Sequence, residues 1–206
     1  MKIKKLIDIC KKTGNIFLYN TGDTRWISDG HAIFDISDLP PFDEVTLCLT
    51  YDINEKQANK INFRHETTLP GAINFSDICD NEFIAERGPM WLSHAGTGII
   101  PFKTSQGVVF IESKYLIPLS DISESQLTFY ERMTKTGEIY FAVKFGLILV
   151  AIITPIDVIN KEFVDKLKDL TAQCEVAWFN KKETQKIVPE GQMLLCAESD
   201  KENTAE

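Results

Sequence analysis

The sequence predicts an α+β fold in which a few helices pack on antiparallel sheets. Three observations support this prediction. Apolar residues near the N-terminus recur with helical spacing, the middle of the chain carries short apolar runs of strand length, and a second helical pattern follows residue 155. Because the strands come in consecutive groups rather than alternating with helices, antiparallel pairing is favoured over a doubly wound parallel sheet.

The first predicted helix carries one apolar stripe. Ile3, Leu6, Ile7 and Cys10 are spaced at i, i+3, i+4 and i+7, which places them on one helical face. Gly14 follows at a position where helices commonly end. The other faces carry lysines, namely Lys2, Lys4, Lys5, Lys11 and Lys12. The sequence therefore predicts a short amphipathic helix with a basic outer surface.

Strand signals follow this helix. Residues 16–19 predict one strand, and a longer signal over 26–36 is interrupted by Asp29-Gly30, a dipeptide typical of hairpin turns. Residues 45–51 alternate in polarity and predict a further strand. Asn54 is a suitable N-cap for a short polar helix that ends near residue 63. The segment 67–89 shows only loose helical spacing and predicts no definite element.

The second half is rich in predicted strands. Gly146 separates two apolar runs, 139–145 and 147–153, and predicts a tight hairpin or a bulge between them. Further strands are predicted at 99–102, 107–112, 115–119 and 127–132.

The strongest helical pattern begins near Pro155 and Asp157 and continues to Cys174, with apolar residues every three or four positions. Two further strands are predicted after it, at 176–179 and 193–196. Residues 198–206 are polar and predict a flexible acidic tail.

Composition limits the class of protein. The chain has 206 residues, 44% hydrophobic and 25% charged, which is typical of a globular protein. No apolar run approaches the roughly 18 residues that a membrane helix requires, and no secretion pattern is present, so we expect a cytoplasmic protein. The net charge of −8 disfavours attraction of nucleic acid to the whole surface but leaves room for a local basic face.

The five cysteines lack close spacing and predict free, mostly buried thiols. Cys10 and Cys174 lie on the apolar helical stripes, so core positions are expected for both. Cys79 is the one cysteine considered as a nucleophile.

No catalytic, metal or cofactor motif stands out. His31, His65 and His94 each lie far from a cysteine or a second histidine, so no metal site is predicted. The glycine-rich segment 94–98 leads into a strand rather than a helix and therefore predicts a turn, not a phosphate-binding loop. A solvated loop is predicted around Pro40-Pro41 for the acidic residues Asp35, Asp38, Asp43 and Glu44.

The strand that contains Asp-Gly resembles a motif of DNA sliding clamps. Ser28-Asp29-Gly30-His31-Ala32-Ile33 is similar to the Thr-Asp-Gly-His-Arg-Leu-Ala strand of bacterial clamps, with Ala32 in the place of Arg. The order of a lysine-bearing helix, a strand and a turn over residues 1–36 is also similar to the clamp repeat unit. A later segment, Trp91-Leu92-Ser93-His94-Ala95, is partly similar to the stretch that begins at Trp26 and indicates a second unit.

The resemblance implies a non-enzymatic, clamp-like homo-oligomer with two repeats, 1–89 and 90–197. Clamp helices line the inner wall of a ring, and their lysines face double-stranded DNA. The implied DNA-binding residues are Lys4, Lys5, Lys11 and Lys12. The motif strand of clamps borders the groove that accepts peptides of replication proteins, and its implied counterparts in this chain are Ser28, His31 and Ile33.

Two other functions remain open on sequence alone. A protein–protein interaction module without a DNA role shares the predicted fold, and an exposed apolar patch around Trp26, Phe34 or Trp91 would favour it. An enzyme of unrecognised type would require Cys79 or a histidine to converge with carboxylates in a pocket.

Overall fold

The computed structural model describes residues 1–187, apart from the side chains at positions 124 and 183–187. The chain divides into two compact units, Met1–Asp157 and Val158–Glu206. The helices of the first unit are α1 (Ile3–Thr13), α2 (Glu44–Thr50) and α3 (Glu55–Ala58), with two 3₁₀ helices, η1 (Ser113–Leu119) and η2 (Glu124–Gln126).

Two sheets complete the first unit and establish the α+β class. The strands are β1 (Asn15–Asn20), β2 (Arg25–Ser28), β3 (Ala32–Asp35), β4 (Asn62–Glu66), β5 (Phe83–Ile84), β6 (Glu86–Arg87), β7 (Leu92–His94), β8 (Thr97–Thr104), β9 (Gly107–Glu112), β10 (Leu127–Met133), β11 (Ile139–Phe145) and β12 (Ile148–Ile153). The large sheet has the order β4-β1-β2-β3-β12-β11-β10-β5, and the small one joins β6, β7 and β9 to β8. All pairings are antiparallel except that of β1 with β4.

The large sheet is built around two antiparallel meanders placed edge to edge. One consists of β1, β2 and β3, and the other of β10, β11 and β12. Their last strands pair across a central seam, where Ile33 of β3 lies opposite Ile152 of β12. A helical segment precedes each meander, α1 before the first and η1 with η2 before the second. The backbone N–H of Lys2 donates to the carbonyl of Pro118 over 2.7 Å, so α1 and η1 meet.

The two faces of the large sheet carry separate hydrophobic clusters. On one face, side chains of β2, β3, β11 and β12 pack with the apolar stripe of α1, with η1 and with the small sheet. The other face carries a smaller cluster, Trp26, Ile33, Tyr140, Ala142, Leu149 and Ile152. Because successive strand residues point to opposite faces, each meander contributes to both clusters.

Several predicted elements are confirmed. Helix α1 ends at the expected glycine, because Gly14 adopts a left-handed φ of 74° that side-chain-bearing residues rarely accept. The Asp-Gly dipeptide lies in the turn between β2 and β3, and the apolar runs around Gly146 form the β11–β12 hairpin. The predictions of β1, β8, β9 and β10 are also confirmed.

Three strand predictions are wrong. Residues 45–51 belong largely to α2, because Asp43 and Thr46 form a capping box that starts a helix there. Residues 115–119 belong to η1 rather than to a strand. Residues 176–179 lie within the helix that begins at Lys161. The strand prediction failed there because a short apolar run alone does not distinguish a strand from a helix. The helix predicted after Asn54 is shorter than expected and ends at Ala58.

The second unit is described as far as residue 187 and contains helix α4 (Lys161–Ile187). This helix begins after the predicted position, because Asn160 provides the N-cap and accepts a hydrogen bond from the N–H of Phe163 over 2.9 Å. Cys174 is exposed, so its predicted core position is wrong. The predicted strand 193–196 and the predicted tail 198–206 lie outside the described residues.

The predicted halves 1–89 and 90–197 both contribute strands to the large sheet. Whether they are repeats of one unit stays a prediction. Among the described cysteines, Cys10 is buried, Cys48 and Cys79 are half-buried, and none forms a disulfide. No helix among the described residues has both the length and the apolar composition needed to cross a membrane.

Candidate functional site

Helix α1 presents its lysines away from the sheet. Its buried residues are Leu6, Ile7, Ile9 and Cys10, so the opposite surface of the helix is polar. Three of the four lysines assigned to DNA contact, Lys4, Lys5 and Lys12, are exposed. Lys11 is half-buried, and its Nζ donates to the carbonyl of Tyr51 over 2.8 Å. The exposed basic surface of α1 therefore rests on three lysines, while the fourth connects α1 to the end of α2.

A cleft of about 300 Å³ lies beside the C-terminal end of α1. Lys12 lines one side, and the glycine-rich turn between β7 and β8 lines the other. Lys114 also reaches the cleft, but its Nζ lies 2.8 Å from a carboxylate oxygen of Glu112. Lys12 is therefore the main source of positive charge at this cleft, and the glycine-rich segment forms a turn, as predicted.

The Asp-Gly-His turn is fixed by a buried carboxyl group. Asp29 is 1% exposed, and its Oδ1 accepts hydrogen bonds from the backbone N–H groups of His31 and Ala32, each over 3.0 Å. Its Oδ2 accepts from the hydroxyl of Tyr115 in η1 over 2.9 Å. Burial, followed by the proximity of Asp29, raises the pKa of Tyr115 well above its usual value. Asp29 thus connects the β2–β3 turn to η1, the helical segment that precedes the second meander.

The three residues assigned to partner binding differ in accessibility. Ser28 and Ile33 are buried, and the Oγ of Ser28 accepts a hydrogen bond from the N–H of Gly30 over 2.9 Å. His31 is exposed in the turn, and its carbonyl accepts hydrogen bonds from Thr154. Ile33 belongs to the cluster that also contains Trp26. Their role in a partner groove stays a prediction, with His31 directly accessible and Ile33 beneath other residues.

An irregular segment, residues 67–82, covers that cluster, and we call it the strap. It connects β4 to β5 and contains neither helix nor strand. Three of its side chains, Leu69, Ile73 and Phe75, pack against the cluster. The rings of Phe75 and Trp26 meet edge to face with centroids 5.2 Å apart. The strap thus occupies the sheet face opposite α1.

A buried group of charges holds the C-terminal part of the strap. Arg132 is 1% exposed and donates to the carbonyls of Asn74 and Ser76, each over 2.9 Å, and to Oε2 of Glu82 over 2.6 Å. Lys144 donates to the other oxygen of Glu82 over 2.5 Å. Burial opposes ionisation of Glu82, but the hydrogen bonds from Lys144 and Arg132 outweigh it and lower the pKa of this carboxyl. We call Glu82, Arg132 and Lys144 the latch.

An apolar cavity of about 580 Å³ opens at the β5 end of the large sheet. Its hydroxyl-bearing rim comes from Ser120, Ser123, Ser125 and Thr128, and Arg87 also reaches it. Its remaining lining is apolar and consists of Ile84, Ala85, Leu116, Leu119, Ile122, Leu127 and Phe129. This size lies within the range of roughly 300–1,000 Å³ that small-molecule sites occupy.

The catalytic candidates do not converge. Cys79 lines a cavity of about 490 Å³ with Glu131 and Tyr140, but neither His65 nor His94 lines it. Glu131 already accepts hydrogen bonds from the N–H and the hydroxyl of Ser105. Among residues 1–187, no group of three His, Cys, Asp or Glu side chains is arranged to hold a metal ion.

Two of the four acidic residues predicted in a solvated loop have structural partners, and Asp35 and Glu44 lie in β3 and α2 rather than in a loop. Asp35 accepts hydrogen bonds from the N–H and hydroxyl of Ser37. Asp43 caps α2, and the hydrogen bonds from Thr46 lower the pKa of Asp43.

Comparison of the chain with protein-family models, with curated proteins and with solved structures finds no match.

Sequence reasoning did not find the latch. Arg132 lies 50 positions from Glu82, and Lys144 lies 62 positions from it, so no local spacing connects them. Lys144 interrupts a strand that is otherwise apolar, and a charge within such a strand indicates a buried partner. Arg132 gives no such signal, because β10 also contains Thr128 and Glu131. The sequence therefore indicates one cation of the latch but not its carboxylate.

Proposed function

We propose that this chain is a non-enzymatic, DNA-clamp-like protein that associates with double-stranded DNA through α1 and tethers a protein partner to it. The proposal joins the motif resemblance at residues 28–33 to the architecture of the large sheet. It also implies self-association, since clamps enclose DNA by joining subunits.

The observation that carries the proposal is the mirrored order of the two meanders. From the β3–β12 seam outward, the strands run β3, β2, β1 on one side and β12, β11, β10 on the other. Each meander follows a helical segment, and both segments pack on the same sheet face, through Leu6 and Cys10 of α1 and Tyr115 and Leu119 of η1. Duplication of a helix-plus-meander unit would produce this order, as the clamp resemblance implies.

The distribution of charge also supports the proposal. The whole chain carries a net charge of −8, yet the exposed surface of α1 carries Lys4, Lys5 and Lys12, with Asp8 the single acidic residue of the helix. A local basic face on an acidic protein directs the phosphate backbone to that face and repels it elsewhere. Contacts of this kind position DNA without reading its sequence.

A charge-reversal experiment tests DNA association. The variant Lys4→Glu, Lys5→Glu, Lys12→Glu changes only exposed side chains and leaves the Lys11–Tyr51 hydrogen bond intact. We expect at least about a tenfold weaker association with double-stranded DNA. The slope of the salt dependence should also fall by about one unit for each phosphate that the variant no longer neutralises. Titration of labelled duplex at several salt concentrations measures both.

A charge-matched control separates position from total charge. Lys103→Glu, Lys135→Glu, Lys161→Glu introduces the same charge change at exposed positions outside α1. We expect its association to stay within about threefold of the unmodified protein. The proposal is wrong if the unmodified chain shows no salt-sensitive association, or if both variants weaken it equally.

The apolar cavity favours a second candidate, a binding module for an apolar ligand with no DNA role. Its floor of Leu119 and Phe129 and its hydroxyl rim suit a small molecule or an apolar side chain of a partner. Ser123→Trp, at an exposed position of the lining, would occupy part of this space, and Thr136→Trp, in an exposed turn, is the matched control. We expect the dye 1-anilinonaphthalene-8-sulfonate to bind the protein and the control but not the filled variant. Equal dye fluorescence in all three would remove the cavity as a ligand site.

A further inference from the structure

The sheet face beneath the strap has the composition of a binding surface. Trp26, Tyr140 and Leu149 are no more than 3% exposed, and Ile33 is 7% exposed. They face away from α1, on the side that the strap covers. Without the strap, these side chains would form a contiguous apolar patch with aromatic residues, the composition found at the centres of protein interfaces.

The strap covers this face without becoming part of the core. No residue from 67 to 82 is fully buried, although the side chains beneath are. A cavity of about 490 Å³ is lined by Asn74, Cys79 and Asn81 of the strap together with residues of β5, β10 and β11. A segment with few buried apolar contacts belongs to the least stable part of a fold and opens before the sheet does.

Polar groups provide much of the strap's attachment. Asp77 Oδ1 accepts a hydrogen bond from the N–H of Leu149 over 2.7 Å, and the N–H of Asn74 donates to the hydroxyl of Tyr140 over 2.9 Å. Arg132 and Lys144 of the latch also donate to the carboxylate of Glu82, and Arg132 donates to the carbonyls of Asn74 and Ser76. A second peptide could supply the same groups, because the strap contributes backbone groups of Asn74 and Ser76 and the carboxylates of Asp77 and Glu82.

We propose that this sheet face binds an extended segment of a protein partner, and that the strap is an internal stand-in for that segment. The strap itself defines the chemistry of the occupant. Ile73 and Phe75, two positions apart, both contact the face, while Asn74 between them is exposed. Asp77 follows Phe75 after one more exposed residue. The expected partner segment is therefore apolar-x-apolar-x-Asp.

This inference deepens the proposed function, since it supplies the partner surface of the tether, and it rests on that proposal only for the role of tethering. The strap and α1 lie on opposite faces of the sheet. Peptide binding at the face and DNA binding at α1 can therefore fail independently, and the two failures are distinguishable.

A synthetic copy of the strap provides the probe. The peptide is residues 70–82 of this chain with Cys79→Ser and an N-terminal fluorophore. The receptor is the full chain with Ile73→Ser and Phe75→Ser, which removes the two anchors of the internal strap. We expect this receptor to bind the peptide at least about tenfold more tightly than the unmodified chain does, because the intact strap competes at high effective concentration. Fluorescence anisotropy measures binding.

Two control peptides test the chemistry. A peptide with Asp77→Ala loses the acceptor for the N–H of Leu149 and should bind at least about threefold more weakly. A peptide with Asp80→Ala removes an exposed carboxylate and should bind as the parent does. Equal binding by the Asp77→Ala peptide and the parent, or no binding by the parent peptide to a receptor with unchanged far-ultraviolet circular dichroism, overturns the proposal.

Hydrogen exchange of the unmodified chain tests the proposal even if that receptor does not fold. Amides of the strap should exchange at least about tenfold faster than amides of β11 and β12, because the strap opens in a local event. Exchange of the strap only together with β11 and β12 would show that it is a fixed part of the core, and the inference would then be wrong.

Discussion

The carboxyl group of Asp29 accepts hydrogen bonds from its own β2–β3 turn and from η1, the helical segment that precedes the second meander. Two come from backbone N–H groups of its own turn, and one comes from the hydroxyl of Tyr115, 86 positions later. The side chain is buried, so water cannot replace a lost partner. The Asp-Gly-His string therefore has a structural reason to carry an acid at this position, independent of any partner.

Replacement of Asp29 should be costly. Asp29→Ala leaves two backbone N–H groups and the Tyr115 hydroxyl without their acceptor, and we expect a loss of about 3 kcal/mol in the free energy of unfolding. Tyr115→Phe removes one donor and should cost about 1 kcal/mol. Asp23→Ala, at an exposed turn position, should stay within about 0.5 kcal/mol of the unmodified protein. Urea unfolding measures all three, and equal stability of Asp29→Ala and Asp23→Ala would contradict this account.

Among the elements, the strap and the meanders are stabilised by different means. The meanders are held by consecutive antiparallel pairing and by side chains on two faces. The strap depends on a few half-buried side chains and on the latch of Glu82, Arg132 and Lys144. Because the latch is ionic, its strength depends on pH.

Acid should release the strap before it unfolds the sheet. The folded pKa of Glu82 is lowered, so its contribution is complete above the unfolded value of about 4.3 and is lost as the pH falls through the folded value. A chain with Trp91→Phe and Trp178→Phe keeps Trp26 as its one tryptophan. We expect acrylamide quenching of Trp26 to rise below about pH 4.3, before β-sheet circular dichroism changes. Introducing Glu82→Gln into this chain should remove that acid step, and a step that persists there would assign it to another group.

At the scale of the whole molecule, local signals predicted most of the large sheet. Gly14, the Asp29-Gly30 turn and Gly146 each mark a change of direction by their backbone requirements, and these boundaries are confirmed. Short apolar runs were less informative, because 45–51 and 115–119 are helical. The capping pair of Asp43 and Thr46 was a readable signal for α2.

The candidate surfaces were predicted less well than the fold. The lysines of α1 could be placed from periodicity alone, because the apolar stripe fixes which side faces outward. The position of the strap could not be predicted from the sequence. Its hydrogen bonds join Asn74 to Tyr140, 66 positions later, and Asp77 to Leu149, 72 positions later. Contacts between residues so far apart depend on the tertiary structure, and no local periodicity of the sequence reveals them.

The two edge strands of the eight-stranded sheet, β4 and β5, affect whether molecules associate in concentrated solution. At one margin, β4 exposes Arg64, His65 and Glu66, and at the other, β5 is only two residues long. Charged or very short border strands offer a poor template for the next chain to add to, which is how natural sheets resist fibril growth. These edges disfavour open-ended addition of further chains to the sheet, so the self-association proposed above would stop at a closed assembly rather than continue as a fibril.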